Sequence, residues 1–517
     1  MTSDSSSCDL GALTRLSLAV AGLALGRAIQ VNNGTYASEA IFWVIVAAIA
    51  TLAALLAPHR DRLEHTAARA LPVLLATGLT LQFAQILTHP PADFLRSDEP
   101  NAIVLYGFGI AAAAMLAGAG LGEGSWFGRA RIPLLLATHF LLGVWVIHMD
   151  PHPGIDVYQI QHAGIGALLE GRNPYSAFIP NPYHPDTSFY GPGMVENGRF
   201  TFGFIYPPLS LVLSSVGQLL GDDLRFAHLA AMTTTGGLIA YARPKGPRRN
   251  NSIVLAADPS RVAAGGLPPF CRLEGGVVGH VSTGMLPPRA SPSGRLDHDH
   301  QSSYSAAGPN RLSATAAALF LFTPRGFYVL EQSWTEPLVL LALSLIVFIA
   351  VRIPRLLPYL YGLLLAMKQY LPLTLPAVVL LWGHERRLRF LGLALGIAAA
   401  ITVPFFWWNP HDFVRSLITV QWHAPLRSDS LSLFGGGAAI SPPPAWLCFG
   451  ALYTICAIGL ARLPRTPAAF AALLGATQLF FLLVNKQAFC NYYYMSLGAF
   501  WIALGVAPHS TVDHGVQ

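Results

Sequence analysis

Charged residues are scarce in this sequence. Lys, Arg, Asp and Glu account for 11% of the 517 residues, and hydrophobic residues account for 53%. Soluble domains carry roughly 25% charged residues. Apolar runs near the roughly 20 residues that span a bilayer recur along the chain, and the alternating apolar–polar pattern of a membrane β-barrel is missing. The composition excludes an ordinary soluble protein and predicts an all-α polytopic membrane protein.

Cysteine motifs and basic nucleic-acid-binding patches are missing as well. The five cysteines are scattered, without CxxC or Cys/His spacing, so the sequence predicts neither a disulfide framework nor a zinc site. The formal charge of +6 comes without an aromatic-studded basic patch. In a membrane protein an excess of Lys and Arg marks cytoplasmic loops, so no nucleic-acid partner is expected.

The hydrophobic runs predict about thirteen to fifteen transmembrane helices. The candidate spans are residues 10–30, 40–57, 70–87, 102–121, 132–148, 204–220, 226–242, 312–329, 337–351, 357–367, 371–382, 390–407, 445–461, 468–484 and 494–507. The chain divides into N-terminal spans (1–131), a span with a long loop and a Pro-Pro segment (132–242), a basic insert (243–311) and a C-terminal transmembrane bundle (312–507).

Arginines in the short loops set the orientation of these spans. The loops PHRDRLEHTAAR, GRAR, RIPR, HERRLR and ARLPR are predicted to be cytoplasmic. With the N-terminus inside, five spans place residues 149–203 outside, and this loop carries five acidic residues and two arginines. The same parity places 323–337, 367–370, 407–429 and 485–494 outside. These five polar segments therefore converge on one membrane face, where we expect one composite site.

The insert breaks this pattern. Its Pro, Gly, Ser, Arg and His content is typical of disorder, and eight Lys/Arg against four Asp/Glu in 243–310 assign it to the cytoplasm. An odd number of crossings must then lie between the outer loop 149–203 and the insert. We interpret 204–220, which begins FIYPPLS, as interfacial or re-entrant and 226–242 as the crossing. The alternative is that both cross and the insert lies outside. The insert is either a genuine loop or a frameshifted stretch of a GC-rich gene.

Asp156 is the notable carboxylate of the long loop. It opens a stretch with helical spacing (Val157, Ile160), which Gly171 and Pro174 end. An aspartate at a helix start ordinarily accepts hydrogen bonds from free backbone N–H groups. A carboxylate beside the membrane surface can also act as a general base. The residue alone leaves both roles open.

The motifs GIDVYQIQHAGIGALLEGRNPY and FGFIYPPLS together resemble glycosyltransferase family 87. These GT-C-fold membrane enzymes include polyprenyl-phosphate-mannose-dependent α-mannosyltransferases of actinobacteria. The residues that match the family pattern are Asp156, Tyr158, Leu168-Leu169-Glu170-Gly171, Asn173-Pro174-Tyr175 and Tyr206-Pro207-Pro208-Leu209. The segments LEQSWTEPL, MKQYLPL and NKQAFCNYYY are similar to later parts of a subgroup of the family. The resemblance covers about 132–507 apart from the insert, and the first four spans fall outside it.

The resemblance implies a GT-C-like helical bundle with a long first outer loop. It implies a hexosyltransferase (EC 2.4) that moves a sugar, mannose first, from a polyprenyl-phosphate donor to a lipid or glycan acceptor at the outer face of the plasma membrane. The sequence lacks a glycine-rich strand–helix turn for a nucleotide sugar. Its DxD pair, Asp297 and Asp299, lies in the insert. Neither a metal nor a cofactor is expected beside the lipid-linked donor.

Chemistry assigns roles to residues of the five polar segments. The acceptor hydroxyl must lose a proton, which makes Asp156 the candidate general base. The leaving phosphate requires positive charge, and the candidates are Lys368, Lys486, His423, Arg427 and Arg325. The candidates for sugar or acceptor binding are Tyr158, Asn173, Tyr175, Glu331, Trp334, Glu336, Gln369 and Asn491. Snorkelling lysines and interfacial tryptophans are the structural alternatives.

A transporter or flippase of lipid-linked sugars without catalytic activity is the alternative function. A secondary transporter would show internal repeats and ionisable residues at mid-membrane, and neither is visible in this sequence. A flippase or a lipid-binding scaffold would not need Asp156.

Overall fold

The computed structural model describes residues 10–58, 60–89, 91–93, 100–118, 126–183, 189–242, 310–381, 387–437 and 441–506. Most of the predicted insert, including Asp297 and Asp299, lies outside these residues. The described residues on either side of the insert belong to one compact unit.

The described chain is all-α. Its helices are α1 (Ala12–Val31), α2 (Ser38–Leu56), α3 (Asp61–Thr88), α4 (Pro100–Gly118), α5 (Trp126–Met149), α6 (Asp156–Leu169), α7 (Pro208–Gly221), α8 (Arg225–Ala240), α9 (Arg311–Leu321), α10 (Gly326–Glu331), α11 (Glu336–Arg352), α12 (Leu357–Leu365), α13 (Arg387–Trp408), α14 (Pro410–Val414), α15 (Val420–His423), α16 (Ala445–Arg462), α17 (Pro467–Leu483) and α18 (Cys490–Val506). Two short strands, β1 (Val195–Glu196) and β2 (Arg199–Phe200), pair antiparallel between α6 and α7.

Six helices in the described part of the chain are long and apolar enough to cross a membrane. They are Ala12–Val31, Ser38–Leu56, Asp61–Thr88, Ala130–Met149, Arg387–Trp408 and Ala445–Arg462. Further apolar helices are shorter, at 10–17 residues. A helix rises 1.5 Å per residue, so the 14 residues of α7 reach about 21 Å, less than the roughly 30 Å of a hydrocarbon core.

Prolines change two of the predicted spans. The span 312–329 is two helices, α9 and α10, because Pro324 cannot continue the helix and disfavours a helical Thr323. Arg325, which follows, takes a left-handed conformation with φ 63°. The span 371–382 is a 3₁₀ helix over Leu371–Leu381 with Pro376 inside it, since proline removes an α-helical hydrogen bond.

The core of the bundle lies around α17 and α18. Every residue of α18 except Tyr492 is buried, and α18 packs against α1, α9, α11 and α17. In contrast, α13 buries only Ala394 and packs mainly on α12. The apolar side chains of α13 are therefore largely unburied, as in a helix that faces lipid.

Candidate functional site

The predicted polar segments meet around one cavity of about 230 Å³, which we name the Asp156 cavity. Its wall includes Asp156 and Tyr190 from 149–203, Tyr328 and Trp334 from 323–337, Arg427 from 407–429, Asn491 from 485–494, and Asn33 from the α1–α2 turn. The segment 367–370 contacts a residue of this wall but does not line the cavity itself. Lys368 Nζ lies 3.9 Å from the ring centroid of Tyr206, which lines the cavity. All five segments are thus brought together.

Asp156 is the first residue of α6, after the extended Ile155. Its Oδ1 accepts a hydrogen bond from the backbone N–H of Val157 at 2.8 Å, so it does satisfy a free donor of the first turn, where negative charge is favourable. The carboxylate also accepts from two phenols, Tyr190 at 2.5 Å and Tyr183 at 3.3 Å. Asp156 therefore combines the helix-start role with a position in the cavity wall.

Arg427 is the one phosphate-binding candidate in the described wall of the Asp156 cavity. Its guanidinium lies between two phenyl rings, 4.4 Å from the centroid of Phe189 and 4.7 Å from that of Phe489. Its Nε donates to Asp429 Oδ1 at 2.8 Å, and its Nη2 bonds the other carboxylate oxygen. The negative charge of Asp429 offsets the positive charge of Arg427. The Asp156 carboxylate therefore leaves the described charged side chains of this wall with a net negative charge.

Lys368 lies behind the wall in a buried ion pair. Its Nζ is 3.0 Å from Glu336 Oε1, and the two side chains are 2% and 0% exposed. Burial lowers the pKa of Lys368, and the Glu336 carboxylate partly offsets this shift. The ammonium faces the rings of Tyr206 and Tyr492, the latter at 5.9 Å. Lys368 and Glu336 thus contact each other and support the tyrosine wall.

Lys486 belongs to a second cavity of about 510 Å³, which we name the apolar cavity. Its wall includes Leu373, Ile418, Trp422, Phe449, Phe481 and also Gln369. Lys486 Nζ donates to the carbonyl of Trp422 at 2.8 Å, and burial lowers the pKa of Lys486. Gln421, Gln487 and Tyr492 line both cavities, so the two cavities adjoin along these residues.

The other two predicted phosphate-binding residues, His423 and Arg325, line neither of these two cavities. The imidazole of His423 is exposed, with Nδ1 2.9 Å from Thr419 O, although its carbonyl packs against Gly191 of the Asp156 cavity. A Cβ on Gly191 would come within 2.4 Å of that oxygen. Arg325 lines a separate small cleft with Gln30, His89 and Tyr106.

Two of the predicted sugar-binding residues, Trp334 and Asn491, line the Asp156 cavity. The motif residues are instead engaged in the architecture around it. Asn173 accepts from the backbone N–H of Tyr175 at 2.9 Å, and the Tyr175 hydroxyl donates to the carbonyl of Tyr206 at 2.8 Å. The Asn-Pro-Tyr and Tyr-Pro-Pro elements are therefore hydrogen-bonded to each other.

Tyr158 and Glu331 do not line the Asp156 cavity. The Tyr158 ring stacks on His162 at 5.8 Å, and its hydroxyl lies 3.4 Å from Pro151 O. The fully buried Glu331 accepts from the backbone N–H of Asp93 at 2.9 Å.

Several residues of the cavity wall were not among the predicted site residues. Tyr183 and Tyr190 contact Asp156, and Asp429 pairs with Arg427. Asn33 lines the cavity with a positive φ of 52°. The concentration of aromatic residues in the polar loop 149–203 could have indicated Tyr183 and Tyr190 as site residues. No local sequence pattern indicates Asn33.

Comparison with protein-family models, with curated proteins and with solved structures gives no match to this chain. Within the described ranges, no group of three His, Cys, Asp or Glu residues is placed to hold a metal ion.

Proposed function

We propose that this chain is a membrane glycosyltransferase that moves a hexose, mannose first, from a polyprenyl-phosphate donor to a lipid or glycan acceptor on the extracytoplasmic side. The observation that carries the proposal is the pair of adjoining cavities. The Asp156 cavity is the more polar of the two and has the Asp156 carboxylate in its wall, whereas the apolar cavity has Lys486 in a mostly apolar wall. A sugar on a lipid phosphate has the same division into a polar head and an apolar chain.

In this proposal the sugar occupies the Asp156 cavity and the lipid chain begins in the apolar cavity. Trp334 and Asn491 line the cavity with Asp156. In this proposal the Trp334 ring packs against the sugar ring, and the Asn491 amide forms hydrogen bonds with sugar hydroxyls. Asp156 accepts the proton of the acceptor hydroxyl while that oxygen forms a bond to the anomeric carbon. The bond between that carbon and the phosphate oxygen breaks, and its electron pair leaves on the lipid phosphate.

Lys486 is the cation best suited to the leaving phosphate. Arg427 is charge-paired with Asp429 and Lys368 with Glu336, whereas the Lys486 ammonium donates a hydrogen bond to the backbone carbonyl of Trp422. Lys486 also stands next to Gln487, which lines both cavities. A phosphate at that boundary would form a charge-assisted hydrogen bond with the ammonium.

Replacing Lys486 with glutamine is expected to weaken binding of polyprenyl monophosphate by about 10- to 100-fold, the value of a hydrogen bond to a charged group. Binding of the detergent-solubilised protein is measured across a salt series. Arg172→Gln is the matched control, because Arg172 forms an exposed pair with Glu170 outside both cavities. Equal affinity of Lys486→Gln and wild type would remove Lys486 from the phosphate site.

A further inference from the structure

The hydrogen bonds around Asp156 leave its two oxygens in different states. Oδ1 accepts from the Val157 N–H at 2.8 Å and from the Tyr183 hydroxyl at 3.3 Å. Oδ2 accepts from Tyr190 alone among the described residues, at 2.5 Å. A carboxylate offers about four acceptor positions, two on each oxygen. Both positions on Oδ1 are therefore used, and one position on Oδ2 is not taken by any residue that the structure describes.

The two phenols are held in place by aromatic packing. The Tyr190 ring lies 4.8 Å from that of Phe200 and 6.2 Å from that of Phe202, and Phe200 belongs to the β1–β2 hairpin. The Tyr183 ring lies 5.0 Å from that of Phe189. Its hydroxyl also accepts from the backbone N–H of Asp156 at 3.3 Å, so its own proton is directed to Oδ1. Neither phenol is placed by the hydrogen bond to Asp156 alone.

Both phenols remain protonated at neutral pH. Burial and the nearby Asp156 carboxylate raise the pKa of Tyr190 and that of Tyr183 well above the usual value. They therefore act as hydrogen-bond donors to a charged acceptor, and such bonds are shorter and stronger than neutral ones.

We infer that Tyr190 is a positioning residue that fixes Asp156 Oδ2 as the atom that receives the acceptor proton, with the acceptor hydroxyl bound beside the Tyr190 phenol. This inference rests on the proposed glycosyl transfer. The acceptor O–H bond breaks, its proton moves to Oδ2, and the Tyr190 proton stays on the phenol throughout. The new bond to the anomeric carbon and the departure of the lipid phosphate follow as above.

Removing the Tyr190 hydroxyl is expected to change the pH dependence of transfer. A donor to the charged carboxylate favours that form over the protonated one, so loss of the donor makes protonation easier. The other titratable or charged side chains of the described cavity wall are Tyr206, Tyr328, Arg427, Asp429 and Tyr492. Arg427 and Asp429 are paired with each other.

The test is the pH dependence of kcat/KM for Tyr190→Phe against wild type. We expect kcat to fall about 10-fold, and the acid limb of the profile to move up by about one pH unit, because a hydrogen bond to a charged group is lost. Tyr183→Phe should move the limb less, since its bond is longer. The structural control is Tyr493→Phe, which removes a buried hydrogen bond to Leu431 O without touching Asp156.

The outcomes separate this inference from the proposed function. Without sugar transfer by wild-type protein, the proposed function itself fails. If wild type transfers sugar and Tyr190→Phe keeps the wild-type acid limb, Tyr190 does not position the base. If Tyr190→Phe and Tyr493→Phe lose thermal stability alike and neither moves the limb, the role of Tyr190 is structural and the inference is wrong.

Discussion

Asparagine at position 156 is expected to lower sugar transfer by roughly 10²–10⁴-fold, the contribution of a general base. Asparagine keeps the side-chain shape, and its carbonyl oxygen can still accept from the Val157 N–H and from Tyr183. It lacks a basic oxygen for the acceptor proton. Folding and binding of polyprenyl monophosphate should therefore remain near wild type while turnover is lost, as measured with purified protein and a polyprenyl-phosphate sugar.

The helix-start role alone predicts the opposite outcome. Asparagine satisfies helix N-terminal donors as well as aspartate does, so unchanged turnover of Asp156→Asn would remove the base from our mechanism. Asp429 would then be the remaining carboxylate of the described cavity wall. The matched control is Asp222→Asn, because Asp222 takes a left-handed conformation in the α7–α8 turn, which asparagine readily adopts.

Breaking the Lys368–Glu336 pair should be the most destabilising single change considered. Replacing Lys368 with methionine leaves the Glu336 charge buried without its partner, and loss of one member of a buried pair costs about 3–5 kcal/mol. Lys368→Met should therefore lower the apparent Tm of the protein in detergent sharply. The double variant Lys368→Met/Glu336→Met removes both charges at similar volume and should recover most of that loss, because an apolar replacement of a whole pair is often neutral.

The double variant also separates support from ligand binding. If the pair only supports Tyr206 and Tyr492, the folded double variant binds polyprenyl monophosphate within a few-fold of wild type. If Lys368 itself contacts the donor phosphate, the double variant folds but loses that binding. If the single variant Lys368→Met is as stable as wild type, the buried Lys368–Glu336 contact contributes little to the stability of the protein.

The sequence was sufficient for the arrangement of the site at the level of segments. Arginine-marked loops and span parity grouped 323–337, 407–429 and 485–494 with the long loop, and these segments do contribute Trp334, Arg427 and Asn491 to one cavity. Parity counts crossings and needs no knowledge of packing. It does not depend on the exact ends of a helix, so the broken α9–α10 span left the grouping unchanged.

Individual contacts were out of reach of the sequence. Lys368 and Glu336 were both assigned to the same face, but their pairing depends on how α11 and α12 pack. The motif pattern drew attention to Tyr175 and Asn173, which tie two backbone elements together, because residue spacing in a motif can reflect architecture as readily as chemistry. Tyr190, 34 positions after Asp156, reaches the carboxylate only through the folded loop.

The most direct test of the account uses wild-type protein in proteoliposomes with polyprenyl-phosphate-linked radiolabelled mannose and a lipid and glycan extract as acceptor. We predict that label moves from the donor to an acceptor product, with release of polyprenyl monophosphate in equal amount, and that a nucleotide-linked mannose is not used. Movement of intact donor between leaflets without any transfer of label would contradict the account and would identify a flippase instead.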